Sequence, residues 1–169
     1  MNQALFLSEQ YIKDIAPISA NVTISSPLKQ CIYDAQNFFI LPILCEPLFI
    51  ELESQIIGAS VSAPNVALLN EIKPCLAYYS LYQFLPFSMI KIREQGPIRE
   101  TGVNGDVIET NDMTYLRGVV HASAKNYEIL LLRFLQNNSA NYPLWNNGCC
   151  NTCNTDCNIV KKSRLFRYV

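Results

Sequence analysis

Between Asn111 and Asn138 the chain runs NDMTYLRGVVHASAKNYEILLLRFLQNN, twenty-eight residues with no proline and a single glycine. Apolar residues return there every three to four positions, a spacing that suits a helix and no strand. Asn111 and Asp112 supply a capping side chain and a negative charge at the positive end of the helix dipole. The expected helix runs to about Gln136. Its expected buried stripe is Leu116, Val119 or Val120, Ser123, Tyr127, Leu130 or Leu131, and Phe134. A rod this long must be covered along its length, so the chain is committed to helix-on-helix packing.

The preceding segments agree in period. SEQYIKDI from Ser8 reads as a short capped helix, and SSPLKQCIYDAQNFFI has Ser25 or Ser26 as cap and Pro27 in the first turn. Leu28, Cys31, Ile32, Ala35, Phe38 and Phe39 form its apolar stripe, and Pro42 is expected to end it. Leu48, Phe49, Leu52 and Ile56 mark another helix that stops near Gly58. After the loop ASVSAPN comes NVALLNEIKPCLAYYSLYQFLPF, where Pro74 predicts a kink or two helices in succession. Its rings Tyr78, Tyr79, Tyr82, Phe84 and Phe87 lack interleaved basic residues from Lys73 to Lys91, so they read as core or subunit packing, not as a base-stacking platform. In SMIKIREQGPIRETGVNGDVIETND the period changes. QGP and NGD are candidate reversals, giving a small β-hairpin near residues 89–108 inserted between helices. After Asn138 the sequence SANYPLWNNG breaks the helix and leaves Trp145 to pin the chain against an apolar surface.

The chain has 169 residues, enough for one core without covalent staples, and its formal charge is −1. That charge is unevenly spread. KKSRLFRYV at the end carries Lys161, Lys162, Arg164 and Arg167 without an acid, so a mildly acidic body bears a basic tail. Such a tail is either a solvated end or an anchor for an acidic protein surface or nucleic acid. No apolar run reaches the roughly 18 residues of a membrane span. MNQALFLSEQYIKD lacks the basic start and long apolar stretch of a signal peptide. The expectation is synthesis in a cytoplasm and no membrane.

Motifs for catalysis are absent from the sequence. There is no GxSxG, HExxH or phosphate-binding glycine loop, and the acids Asp106, Glu109 and Asp112 do not have calcium-loop spacing. His121, the only histidine, lies within the long helix with no evident acid–base partner and reads as a packed or partly exposed residue. No catalytic or cofactor-binding residue is assigned.

Seven cysteines remain. Cys31, Cys45 and Cys75 read as small buried apolar residues. Cys149, Cys150, Cys153 and Cys157 crowd the segment NNGCCNTCNTDCN and are the candidate metal ligands, with zinc the candidate ion. Only one CxxC is present and no second knuckle follows at the usual separation. Zinc or another thiophilic metal, disulfides formed after release, and free thiols all stay open for these four.

The phrases LFLSEQYIKDIAPISANV, SSPLKQCIYDAQNFFILPILCEPLFIELES, LLNEIKPCLAYYSLYQFLPF and KIREQGPIRE, followed by a long last helix, resemble in their order the head-to-tail connector (adaptor) proteins of tailed bacteriophages. Those of Bacteroidetes phages, including the crAss-like group, are similar. The resemblance covers roughly residues 4–137. It implies a mainly α protein, a small helical bundle with an inserted β-hairpin and an extended C-terminal arm. Residues 1–138 would be the connector-like domain and residues 139–169 the cysteine-containing basic arm.

The implied function is structural. The subunit would join the portal protein to the tail or to further ring proteins, in a homo-oligomeric, dodecameric ring. DNA would pass through the channel without sequence-specific binding. Such a protein belongs to the virion, is assembled in the host cytoplasm, and is not an enzyme. Two other readings are carried alongside. One is a cysteine-tail metal-binding module for nucleic acid or a regulatory partner, and the other is a thiol-dependent redox enzyme using CxxC. The second needs a depressed thiol pKa, which NTDCN gives little means to produce.

Overall fold

In the computed structural model, residues 4–15, 27–93, 96–99 and 110–148 are described. The architecture is mainly α. The helices are α1 (Glu9–Ile15), α2 (Pro27–Ala35), α3 (Leu41–Leu44), α4 (Glu46–Ile57), α5 (Ala63–Met89), α6 (Thr110–Asn137) and α7 (Pro143–Gly148). Between α5 and α6, β1 (Ile90–Arg93) and β2 (Gly96–Arg99) pair antiparallel, with Ile90 opposite Arg99 and Arg93 opposite Gly96. The rest of the segment expected to form the hairpin, residues 100–108, lies outside the described residues, as do residues 149–169 with the four tail cysteines and the basic end.

Helix α5 is the axis of the bundle, with α6 packed along it on one side and α2 on another. It therefore buries more than one face. Leu68, Leu69, Ile72, Cys75, Leu76, Ala77, Tyr79, Ser80, Leu81 and Leu85 are all buried, and a helix apolar on several sides belongs in the middle of a core. Of the two expectations at Pro74, the pair of successive helices does not form; α5 is one helix containing both Pro74 and Pro86. The lost hydrogen bond and ring clash, about 3 kcal/mol for an interior proline, are outweighed by Ile72, Cys75 and Leu76, all fully buried around it.

Pro42 likewise does not end its helix. The backbone widens into a π-helical stretch over Gln36–Ile40 and continues into α3, which has Pro42 in its first turn. The Leu41 amide donates to the Gln36 carbonyl, five residues back. The wide turn accommodates a ring that an α-helical turn would reject, and it inserts one residue into the repeat. The stripe is then re-phased. Leu28, Cys31, Ile32 and Ala35 are buried as expected, but Ile40, Ile43 and Leu44 follow them inside while Phe38 turns outward, 61% exposed. Phe39 is half-buried against the core.

The π-helical stretch also places a polar side chain in the core. Gln36 is fully buried, its Oε1 accepting from the Phe6 amide at 2.9 Å and its Nε2 donating to the Ala4 carbonyl at 3.0 Å. The side-chain amide thus stands in for a neighbouring backbone and docks the N-terminal segment, which carries buried Phe6 and Leu7. Ser8 caps α1, its Oγ accepting from the Tyr11 amide at 3.3 Å. Replacing Gln36 with leucine is expected to lower stability by about 2–3 kcal/mol, because a buried N–H and a buried C=O lose their partners together. Urea unfolding of Gln36→Leu against the unaltered protein measures this, and a change below 0.5 kcal/mol would show the N-terminal docking to be dispensable (roughly the spread of surface substitutions).

Helix α4 runs from Glu46 to the Gly58 cap and buries Leu48, Phe49 and Leu52, as its sequence spacing predicts. Asn65, buried in the first turn of α5, ties the two helices by donating to Glu51 Oε1 at 3.1 Å and Gln55 Oε1 at 2.9 Å. After α6, a 3₁₀ turn (Ser139–Asn141) leads into α7. Tyr142 is buried with its hydroxyl on the Pro64 carbonyl at 2.7 Å, and the Trp145 indole donates to the Ile43 carbonyl at 2.9 Å. Trp145 therefore pins α7 to the protein's own body.

Candidate functional site

The longest seam in the body is α5 against α6, and its polar groups meet in one place. Helix α6 turns Val120, Ala124, Glu128, Leu131 and Leu135 inward. These recur at intervals of three and four, but they lie about 70° around the helix from the stripe expected from the sequence, at 100° per residue. Of that expected stripe Val120 and Leu131, each one of a pair of options, are buried, Ser123, Tyr127 and Phe134 are partly buried, and Leu116, Val119 and Leu130 are exposed. The correction has a plain cause: the true stripe contains a glutamate, which a reading based on hydropathy places outside.

Glu128 is admitted because its charge is met. The Tyr79 hydroxyl donates a hydrogen bond to Glu128 Oε2, and Lys125 Nζ lies 2.9 Å from the same oxygen. A carboxylate with a hydroxyl and an ammonium as partners can be buried at tolerable cost. Tyr79 is itself fully buried, its ring stacked on Phe39 with centroids 4.0 Å apart and planes 4° apart. Around this pair, Tyr78 stacks on Tyr127 at 5.3 Å, and the Arg117 guanidinium lies 4.6 Å from the Tyr82 ring centre. The aromatic run of α5 is thus chiefly a packing device, with Phe87 left outside at 55% exposure.

His121 completes the cluster, its ring 5.0 Å from that of Tyr82 and 6.3 Å from that of Tyr79. Partial burial lowers its pKa below the ordinary 6.5; the Lys125 and Arg117 cations act in the same direction and Glu128 against it. The unfolded chain takes up this proton near 6.5 and the folded protein only at lower pH. Stability is therefore lost as pH falls from about 6.5 to the folded value. Glu53, whose carboxyl is raised by burial against an opposing Ala4 backbone hydrogen bond, works in the opposite sense. The difference between the unaltered protein and His121→Asn isolates the histidine. Urea midpoints at pH 7.5 and 5.5 are expected to fall further in the unaltered protein than in the variant; equal falls would refute the lowered pKa.

The remaining chemistry is subdued. Burial pushes the Cys75 thiol up to about 12 and the Cys31 thiol to about 11, so both stay protonated at neutral pH. Both are free and buried, which suits their expected role as small apolar residues. Cys45 departs from that role, because it is buried but disulfide-bonded. Among the described residues no group of three or more His, Cys, Asp or Glu side chains is placed to hold a metal ion. No helix among them is long and apolar enough to cross a membrane.

The second feature of α6 is its outer side. Tyr115, Val119, Ile129 and Leu130, with exposures of 76, 46, 53 and 46%, lie roughly opposite the buried stripe, flanked by Leu116. Helix α6 thus carries apolar side chains on two opposing sides, and among the described residues only one of those sides is covered. The sequence reading assigned Leu116 to the core and left Val119 and Leu130 each as one of two options, of which the other member is the buried one.

Residues 40–155, from the end of the π-helical stretch through α7 and into the cysteine segment, match the model of a family of unknown function, DUF6712. That span is more than half of the sequence. The chain belongs to the DUF6712 family. The matched region takes in α3 to α7, hence the whole α5–α6 seam, the outer side of α6, Cys45 and Trp145. No curated protein and no solved structure matches the chain.

Proposed function

We propose that this DUF6712 protein is a structural virion component, a head-to-tail connector subunit that assembles as a ring between portal and tail. The observation that carries the reading is the outer side of α6. Its exposed Tyr115, Leu116, Val119, Ile129 and Leu130 lie along a 28-residue helix, and large apolar side chains gathered on the outside of a protein body favour association. A ring subunit needs two different, complementary faces, one for each neighbour. The α6 face supplies one. In this reading the β1–β2 element and the C-terminal arm supply further contacts to adjacent subunits.

The resemblance of residues 4–137 to phage connector proteins supplies the setting: portal on one side, tail or further ring proteins on the other, twelve copies around a channel for DNA. In this reading the DNA passes without sequence-specific contact, and the work of the protein is positional. The α5–α6 cluster then serves to hold the bundle rigid beneath an exposed face, and no residue has a catalytic role. Light scattering of the chain alone and mixed with its portal protein tests the proposal. Association into a complex many times the 19.1 kDa subunit is expected, and a chain that stays monomeric with the portal present would overturn it.

A further inference from the structure

The exposed side of α6 has a repeat of its own. Between Asp112 near its start and Arg133 near its end, Tyr115, Val119, Ala122, Asn126 and Ile129 follow one another at intervals of three and four, and all of them are exposed. That is the spacing of a seam along which one helix packs lengthwise on another. The large apolar side chains stand in two groups, Tyr115, Leu116 and Val119 before the middle of the stretch and Ile129 and Leu130 after it. The small Ala122 and Ser123 lie between the groups.

The charges decide which helix fits. A second copy of α6 laid antiparallel about the point between Ala122 and Ser123 sets Asp112 opposite Arg133 at both ends of the seam. It also sets Tyr115 opposite Leu130, Leu116 opposite Ile129, and Val119 opposite Asn126. The bulky pairs are apolar, each acid meets a base, and Ala122 opposite Ser123 leaves room for the two axes to approach. A parallel copy in register would instead set Asp112 on Asp112 and Arg133 on Arg133, like charges facing at both ends. Antiparallel packing also brings opposite ends of the two helix dipoles together. Exposed ion pairs add little affinity, so the apolar pairs hold such a contact and the charges fix its direction.

We propose that the free protein forms a two-fold dimer in which α6 packs antiparallel on α6 of a second copy, centred between Ala122 and Ser123. A two-fold contact pairs a face with itself and closes at two copies. It therefore withholds the face that the connector reading gives to a ring neighbour, and the portal must release it: the dimer is a resting form that keeps subunits from joining one another before a portal is present. The dimer itself rests on the geometry and charge of α6, and not on that reading. A single seam with Asn126 in it makes a small interface, so a dissociation constant on the order of tens of micromolar is expected.

Sedimentation equilibrium of the full chain in reductant, without portal, from about 5 to about 500 µM brackets that value and tests the proposal. The expected result is a reversible equilibrium between monomer and dimer with no larger species. Asp112→Arg and Arg133→Asp each put like charges opposite one another and are expected to weaken the dimer by about tenfold. The double variant, which restores opposite charges, should return to within about threefold of the parent. The two single variants mixed should pair with each other more tightly than either pairs with itself. Both positions are exposed, and circular dichroism checks that each variant keeps its helices; recovery in the double variant separates the contact from any folding defect. A chain monomeric at the highest concentration, a dimer indifferent to the single changes or not restored by the double one, or species growing beyond two copies would overturn the proposal. Failure of the ring reading shows separately, in the mixture with portal.

Discussion

Replacing Tyr79 with alanine is expected to lower the unfolding free energy by about 4 kcal/mol, within the range for emptying a large aromatic site in a core. Tyr79 is fully buried and Phe39 stacks on its ring, so truncation to alanine leaves a cavity in the core and removes that stacking contact. Its hydroxyl also answers the buried Glu128 carboxylate, which keeps Lys125 as a partner but loses part of its compensation. Against a total stability of about 5–15 kcal/mol for a domain, the variant should be marginal at 37 °C, with a melting temperature lower by roughly 10 °C. Tyr79→Phe keeps the ring and removes only the hydroxyl, so it should cost about 1–2 kcal/mol. Thermal and urea unfolding of both variants checks the ranking. If Tyr79→Phe were as damaging as Tyr79→Ala, the hydrogen bond to Glu128 would dominate and the packing account of the seam would be wrong.

The second large effect concerns association. Val119→Asp and Ile129→Glu change two exposed positions on the outer side of α6, where a surface substitution usually alters stability by no more than about 0.5 kcal/mol. The isolated double variant should therefore keep its helical circular-dichroism signal and nearly its urea midpoint. If that face is buried between ring subunits, each charge must be desolvated without a partner, and the expected loss in assembly is at least 100-fold, about 2.7 kcal/mol. Sedimentation or light scattering in the presence of the portal protein reads this directly. Equal assembly by variant and parent would remove the α6 face from the contact and with it the main structural support for a ring.

How far the fold can be read from residue order depends on what each local rule neglects. The α4 stripe Leu48, Phe49 and Leu52 with its Gly58 stop, the Ser8 cap and the extent of α6 all follow from short-range chemistry, and all stand in the structure. The errors sit where tertiary packing overrules it. Pro42 and Pro74 are helix breakers by propensity, yet a π-helical stretch absorbs one and a fully buried environment holds the other. Glu128 was invisible as a core residue because its partners come from α5 and from a turn earlier on α6.

The buried glutamate widens the inward stripe of α6 beyond the apolar residues by which it was read, so Ala124, Glu128 and Leu135 were left out and Leu116 was placed inside. Cys45 shows a different limit. Its burial follows from its surroundings, but its disulfide-bonded state is something no spacing rule reaches. The candidate site was legible in part. The aromatic run was visible as packing, whereas the pairing of Tyr79 with Glu128 and the uncovered side of α6 emerged only once the two helices were side by side.

The most direct measurement is electron cryo-microscopy of the chain assembled with its portal protein. The account predicts a closed ring at the portal's tail-facing end, with the α6 residues Tyr115, Val119, Ile129 and Leu130 covered by an adjacent subunit and a channel left open along the axis. Portal particles that carry no added ring, or a ring in which this face of α6 stays open to solvent, would contradict it.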